Sequence, residues 1–512
     1  MNLATWIQRN GALWPDRPAL AKGCEVHATW ETFGRRVRSI AHELTARFGC
    51  VPGDRIAIVM SNCPEYLEMM FGGWHAGCVV VPVNARLHRD EVAYILSHSG
   101  ARVMVTDTEH EADLTSLESE VSSLEYVLST HGAQWSGIIS ANEAELVERS
   151  GDDAAWLFYT SGTTGRPKGA TLTHRNLLMM SLSYFADIGP VSENDAVLHA
   201  APISHGSGLY GLPHVARGAV SVIPASGSAD PAEIAELLGH WSGVSLFAAP
   251  TMIRRLCVHE SVMGSDLAGL KTIIYGGAPM YLEDLKLALG IFGPRLAQIY
   301  GQGETPMTIT ALSMEDHADT AHPQWVDRMK SVGRARTDVE VKVVDESGLE
   351  LAAGEIGEIL VRGDVVMAGY WNQPDATAET LAGGWLHTGD LGSFDSAGYL
   401  SLHDRSKDLI ISGGMNIYPR EIEEVLLRHD NIEQASVVGR PDPEWGESVV
   451  AFFVARDGAD TPSSEELDEL CLSSIARYKR PKEYIAVEHL PTNNYGKVLK
   501  RELRERLVNG EL

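Results

Sequence analysis

Between Tyr159 and Gly169 the chain reads YTSGTTGRPKG, a stretch with three glycines, four Ser/Thr hydroxyls and two cations. Glycines let the backbone approach phosphate oxygens, the hydroxyls of Thr160, Ser161, Thr163 and Thr164 donate hydrogen bonds, and Arg166 or Lys168 neutralises charge. A triphosphate cradle is the chemistry this composition serves, with Gly162 and Gly165 as its close-approach points. The loop is not a P-loop, because Gly-Lys-Ser/Thr would have to stand where the chain has Arg166-Pro167-Lys168-Gly169. Taken alone, the same composition also suits a flexible surface turn.

Further segments fall in a fixed order: YGGAP (Tyr275 to Pro279), YGQGE (Tyr300 to Glu304), HTGD (His387 to Asp390), DRSKDLIISGGMNIYP (Asp404 to Pro419) and NYGKVLKREL (Asn494 to Leu503). Together with the hydroxyl-rich loop they resemble the adenylate-forming superfamily, which includes acyl- and aryl-CoA synthetases, amino-acid adenylation domains and luciferases. The resemblance spans essentially the whole chain. It implies two steps: a carboxylate attacks the α-phosphate of ATP to give acyl-AMP and pyrophosphate, and a thiol then displaces AMP.

The resemblance also assigns roles. Thr160, Ser161, Gly162, Thr163, Thr164, Gly165 and Lys168 would hold the phosphates, where cations and backbone amides stabilise the departing pyrophosphate. Glu304, with Thr160, would hold Mg²⁺, a hard cation that takes carboxylate oxygen. Gly276, Gly277, Ala278 and Tyr300 would form the adenine slot, continued by Gly301, Gln302 and Gly303. Asp390 would bind the ribose hydroxyls and Arg405 ribose or phosphate. Lys497 would bridge the attacking carboxylate and the α-phosphate. Lys407 would be the pivot of a small domain that rotates between the half-reactions. The second-step thiol is expected to be coenzyme A: VVGRPDPEWGE (Val437 to Glu447) resembles CoA ligases, Gly413 and Gly414 would border the pantetheine tunnel, and Arg440, Lys479 and Arg480 are candidate cations for its phosphates.

APISHGSGLYG (Ala201 to Gly211) matches the segment in which His205 would gate the carboxylate tunnel. Amino-acid-activating relatives carry an Asp near this position and Ala201 to Ser204 supply none, so a substrate amine is not expected. Tyr210, Gly277 and Met307 would line an apolar pocket for an aryl or a medium- to long-chain acyl group. Three departures from the family pattern stand out: Gly303 where Thr is usual, Met415 where Glu is frequent, and PTNNYGK around Lys497. The reading is therefore an ATP-dependent acid:CoA ligase using ATP, Mg²⁺ and coenzyme A. The alternatives are an enzyme loading an acyl-carrier protein and a degenerate paralogue that binds nucleotide or acid.

The elements that must position these residues follow from periodicity. Phe33, Val37, Ile40, Ala41 and Leu44 share one face of a helix over Glu31 to Phe48. Apolar runs at Asp54 to Met60, Cys78 to Val83, Arg102 to Thr106, Gly243 to Pro250, Lys271 to Tyr275 and Leu296 to Tyr300 read as buried strands between helices, which implies parallel sheets covered on both faces. From about Ser331, Val339, Val341 and Val343 alternate with polar neighbours, as in a small antiparallel barrel or sheet. After Asp404 the pattern is that of a compact α+β unit. The expected fold is α/β. A large N-terminal adenylation domain spans 1–403, with two parallel-type sheet subdomains over about 1–330 and a β-barrel-like part over about 331–403. Residues 404–407 form a hinge and 408–512 a small mobile domain.

At 512 residues the chain has room for roughly three domain-sized units, and its 44% hydrophobic and 22% charged composition excludes rods and wholesale disorder. With 42 Lys plus Arg against 69 Asp plus Glu, the net charge of −27 opposes nonspecific binding to nucleic acid or an anionic membrane. The expected partner is a small carboxylic acid, with no nucleic acid and no transmembrane segment. A homodimer is left open. Six scattered cysteines with no C-x-x-C pair indicate neither a zinc site nor a disulfide framework, and the expected location is the cytoplasm.

Overall fold

The helix Trp30–Ala46 starts where the Thr29 hydroxyl accepts from the Thr32 amide, and it buries Phe33, Val37, Ile40, Ala41 and Leu44 along one face. Beyond it, every residue of the strand Arg55–Val59 after Arg55 itself is buried. That strand pairs in parallel with Val79–Val83 on one side and Ala101–Thr106 on the other. The computed structural model describes residues 1–160, 166–278, 280–405, 408–412, 415–443, 445–492 and 498–509, with Asp404, Arg405 and Val508 described by their backbone alone.

Four sheets organise the described residues. The first has six strands in the order Tyr126–Ser129, Ala101–Thr106, Arg55–Val59, Val79–Val83, Ala154–Thr160 and Lys168–Thr173. It is parallel except for its last pair. The second has nine strands, with a parallel centre of Leu296–Tyr300, Leu270–Tyr275, Val244–Ala248, Ala196–Leu198 and Val220–Ile223. Helices cover both sheets, and the expected α/β class holds. Asp230 caps the helix Pro231–His240 by accepting from the Glu233 amide at 2.9 Å, as its place before Pro231 predicts.

Several strands of the second sheet, Ala196–Leu198 and Val220–Ile223 among them, have no counterpart among the runs read from the sequence. The strands Pro18–Lys22 and Glu25–Thr29 close one edge, and Pro18–Lys22 runs parallel to Val220–Ile223. A five-residue segment that begins with Pro carries little local signal; its place comes from a partner about two hundred residues away.

The third sheet is an antiparallel meander of Val339–Val344, Gly357–Gly363, Leu386–Phe394 and Leu400–Arg405. The fourth is built on a long hairpin of Ile432–Asp442 and Gly446–Ala455. Its residues alternate between two apolar clusters. Val437, Val449, Ala451 and Phe453 meet the helices Pro419–Leu426 and Ser464–Ser474, while Val438, Val450 and Phe452 meet Leu503 of the helix Lys500–Asn509. Arg254 reaches from the nine-stranded-sheet region to the Glu433 carbonyl at 2.9 Å, and Arg420 to the Leu402 carbonyl at 3.3 Å. All six cysteines are free thiols. No helix among the described residues is long and apolar enough to cross a membrane.

Candidate active site

The antiparallel pair that ends the six-stranded sheet sets the first half of the site. Its register places Thr160 opposite Lys168, so the two ends of the hydroxyl-rich loop are held side by side. Ser161, Gly162, Thr163, Thr164 and Gly165 lie outside the described residues. The exit of the loop is braced: the Tyr94 hydroxyl donates to the Pro167 carbonyl at 3.2 Å, and the Arg166 guanidinium sits 5.4 Å from the Tyr94 ring centre.

A segment that the sequence reading did not single out completes this half. Ala368 to Trp371 runs beside the strand Lys168–Thr173 through the Thr171–Gly369, Ala368–Thr171 and Trp371–Gly169 backbone bonds. It delivers Tyr370, whose hydroxyl donates to Glu304 Oε1 at 2.7 Å while the Lys168 ammonium lies 4.8 Å from its ring centre. Thr160 Oγ1 reaches the same Glu304 oxygen at 3.5 Å, and Met367 N–H donates to the Glu304 carbonyl. Glu304 is buried. Burial, and then the Glu304 charge, push the Tyr370 phenol well above its ordinary pKa, so it stays a donor. The one signal for Tyr370 was an aromatic between Gly369 and Trp371, a pattern without meaning until the strands pair.

Glu304 stands in a tight turn between Tyr300 and Ile309. Ile309 N–H returns to the Tyr300 carbonyl, Met307 N–H to the Gln302 carbonyl, and Met307 takes a φ of 58°. A Cβ on Gly301 would lie 2.3 Å from the Met307 carbonyl carbon, which makes glycine the residue that fits there. Thr305 is wholly buried and its hydroxyl both accepts from the Gln302 N–H and donates to the Gln302 carbonyl. It is used by the turn itself and does not replace the hydroxyl absent at Gly303.

The second half of the site lies at the end of Leu296–Tyr300. Tyr300 OH and Gln302 Nε2 both donate to Asp390 Oδ2 at 2.8 Å, and Gln302 Nε2 also donates to the Thr388 carbonyl. Asp390 pairs with Arg405 across the meander, so the backbone brings these two together. Gly276 is walled in, since a Cβ would lie 2.5 Å from the Ile299 carbonyl oxygen, whereas Gly277 (φ 82°) faces open space beside Ala278. The structure thus gathers Thr160, Lys168, Glu304, Tyr300, Gln302 and Asp390 into one locus. Ser406, Lys407, Gly413, Gly414 and Lys497 lie outside the described residues.

Asn62 ties the first sheet to the loop before His205, the residue expected to gate the acid. Its Nδ2 donates to the His199 and Ala201 carbonyls, both at 2.8 Å, and its Oδ1 accepts from Ile203 N–H. Sequence reasoning had no reason to choose this Asn. Desolvation lowers the His205 pKa to about 3, which keeps the imidazole neutral. Tyr210 is fully buried, stacks on Phe247 at 5.7 Å, and donates to the Met307 carbonyl at 2.9 Å. Arg440, Lys479 and Arg480 are each engaged, with Glu483, Glu421 and Asp468 respectively, at 2.6 to 2.7 Å.

This locus can be set against known proteins. Residues 7–371 match the AMP-binding enzyme family, and residues 421–497 match the AMP-binding enzyme C-terminal domain. The chain belongs to the AMP-binding enzymes. Within that family it is an adenylate-forming enzyme of the AMP-forming acyl-CoA synthetase type. It is 35% identical over 506 residues to a feruloyl-CoA synthase of an Amycolatopsis species, covering 98% of this chain and 99% of the relative. It is 34% identical to the fatty acid–[acyl-carrier-protein] ligase ScoC of Streptomyces coeruleorubidus, covering 96% and 94%. Among solved structures, ATP-bound MatB from Rhodopseudomonas palustris superposes with a TM-score of 0.88 at 29% identity over 99% of both chains.

Proposed function

We propose that this AMP-binding enzyme activates an apolar carboxylic acid lacking an α-amino group, an aryl acid before a fatty acid, and transfers the acyl group to coenzyme A. One arrangement carries the reading: Thr160, Lys168, Tyr370 and Glu304 converge at the mouth of the hydroxyl-rich loop, across from the Tyr300–Gln302–Asp390 network. In the first step a carboxylate oxygen bonds to the α-phosphorus of ATP as the bond to the β-phosphate bridge breaks, and pyrophosphate departs. Lys168, held opposite Thr160 at the end of that loop, would meet the charge that leaves. The donors at Glu304 and Thr160 are hard oxygens, the type Mg²⁺ takes; the ion when bound would neutralise phosphate charge. Tyr370 holds Glu304 in place for it. In the second step the thiolate sulfur bonds to the acyl carbon and AMP leaves. Lys497 and the Lys407 pivot enter this scheme through the family resemblance.

The preference for an aryl acid rests on the feruloyl-CoA synthase relative and on the Tyr210–Phe247 stack, an aromatic wall near Met307 that suits a flat group. The test is AMP release across a panel of benzoates, cinnamates, fatty acids, amino acids and short dicarboxylates, with and without coenzyme A. An amino acid or a short dicarboxylate as the best substrate by kcat/KM would refute the pocket reading.

One observation favours a second acceptor. The three cations expected for coenzyme A phosphates are all engaged with carboxylates, and ScoC acts on an acyl-carrier protein. Replacing coenzyme A with a phosphopantetheinylated carrier protein in the same assay separates the two acceptors.

A further inference from the structure

Phe158 and Thr160 lie two apart on the strand Ala154–Thr160, so they share its inward face, while Leu157 and Tyr159 turn to the other side. Opposite that face stands Gly303. Its φ is not positive, so any residue could adopt its backbone. Space is what excludes a side chain: a Cβ there would lie 2.6 Å from Phe158 Cδ1 and 2.6 Å from Thr160 Cγ2, inside any real carbon–carbon contact. The Phe158 ring fills the room that the glycine leaves. Its other flank meets His205, with ring centres 5.0 Å apart and planes inclined at 63°, an edge-on aromatic contact. Phe158 itself is 3% exposed. The ring is therefore wedged between the turn that carries Glu304 and the His205 imidazole.

We propose that Phe158 is a positioning residue for the acid substrate: seated in the space left by Gly303, it fixes the His205 ring, and Gly303 is required because a side chain would drive Phe158 against that ring. The inference rests on reading His205 as the acyl gate. It accounts for the Gly in YGQGE as part of a matched pair, a bulky ring on the strand facing a missing side chain on the turn.

The experiment measures KM for the preferred acid and for ATP, together with melting temperature, in Phe158→Leu, Phe158→Tyr, Gly303→Ala, His205→Ala, Phe158→Leu/His205→Ala and Phe158→Leu/Gly303→Ala. Phe158→Leu is expected to raise the acid KM about three- to tenfold, the size of an aromatic pair contact, and to leave the ATP KM within about twofold. Phe158→Tyr, which keeps the ring, should stay near wild type. In the His205→Ala background Phe158→Leu should add nothing further, because the ring it positions is gone. Gly303→Ala should impair acyl-AMP formation, and the shorter Leu at 158 should recover part of that loss. Equal rises in both KM values, losses that simply follow melting temperature, or an undiminished effect of Phe158→Leu without His205 would overturn the proposal. If His205→Ala leaves the acid KM unchanged, the gate reading fails and this inference falls with it. If His205→Ala raises that KM and Phe158→Leu does not, the gate reading stands and only the role of Phe158 is refuted.

Discussion

Tyr370 and Glu304, 66 positions apart in the chain, meet through a 2.7 Å hydrogen bond in which the phenol donates to the carboxylate. The bond fixes a buried carboxylate next to Thr160 and Lys168, at the point where the phosphates of ATP are expected. Tyr370→Phe keeps the ring over Lys168 and removes only the donor. A hydrogen bond to a charged group is worth about 1.5–3 kcal/mol, so kcat for acyl-AMP formation should fall roughly ten- to hundredfold. Glu304→Gln removes the charge itself and should cost about 2.7–4 kcal/mol, or roughly 10²- to 10³-fold, by analogy with the loss of one transition-state contact. Pyrophosphate exchange titrated with Mg²⁺ checks both; a Glu304→Gln enzyme within twofold of wild type at saturating Mg²⁺ would remove Glu304 from the site.

The role proposed for Lys497 separates the half-reactions. By the family resemblance its ammonium would be needed where carboxylate meets α-phosphate and not where a thiolate attacks acyl-AMP. Lys497→Ala should abolish most pyrophosphate exchange, while synthetic acyl-AMP plus coenzyme A should still give thioester near the normal rate. Equal losses in both assays would contradict the proposed alternation of the small domain about Lys407.

Stability offers an independent test at Arg336. Its guanidinium is buried, with Nε donating to Ser183 at 3.0 Å and to Asp187 at 3.1 Å. Asp187 also accepts from the Thr337 hydroxyl. Asp187→Ala removes the carboxylate bonded to this buried cation, and removing one partner of such a pair costs about 3–5 kcal/mol. Chemical denaturation should show a lower midpoint with an unchanged slope.

Buried histidines set the acid limit. Burial lowers the pKa of His199 to about 3, and of His174, His214 and His317 to about 4, from an ordinary 6.5. In each case the unfolded chain binds the extra proton first. Their stabilising contribution is present above 6.5 and drains as pH falls from 6.5 toward 4, at about 1.4 kcal/mol per pH unit for each group once its unfolded form is protonated. The melting temperature should fall steadily across that window, and His317→Gln should flatten the slope.

Much of this was legible in the sequence because local patterns carried it. The strand runs ending at Tyr275 and Tyr300 are mostly apolar, with Lys271, Thr272 and Gln298 as their polar members, and each leads directly into a glycine turn that holds a site residue. Asp230 before Pro231 marks a helix start without any tertiary help. What escaped depended on pairing between distant segments. Tyr370 enters only when Ala368 to Trp371 lines up beside the strand after the phosphate loop, and Asn62 only when the two large sheets meet. Gly303 showed as a departure from pattern, but its reason, the Phe158 ring, lies on another strand. Thr305, two residues past Gly303, uses its hydroxyl as a brace within its own turn, a bond that depends on how the turn folds.

Activation of the acid as an acyl adenylate dictates where its carboxylate oxygens go, and isotope transfer reads them. With the best acid of the panel labelled with ¹⁸O in its carboxylate, ATP and coenzyme A should give thioester, pyrophosphate and AMP in stoichiometric amounts, and mass spectrometry should find one ¹⁸O in the phosphate of each AMP. Release of ADP and phosphate in place of AMP and pyrophosphate, or AMP that carries no label, would contradict the account.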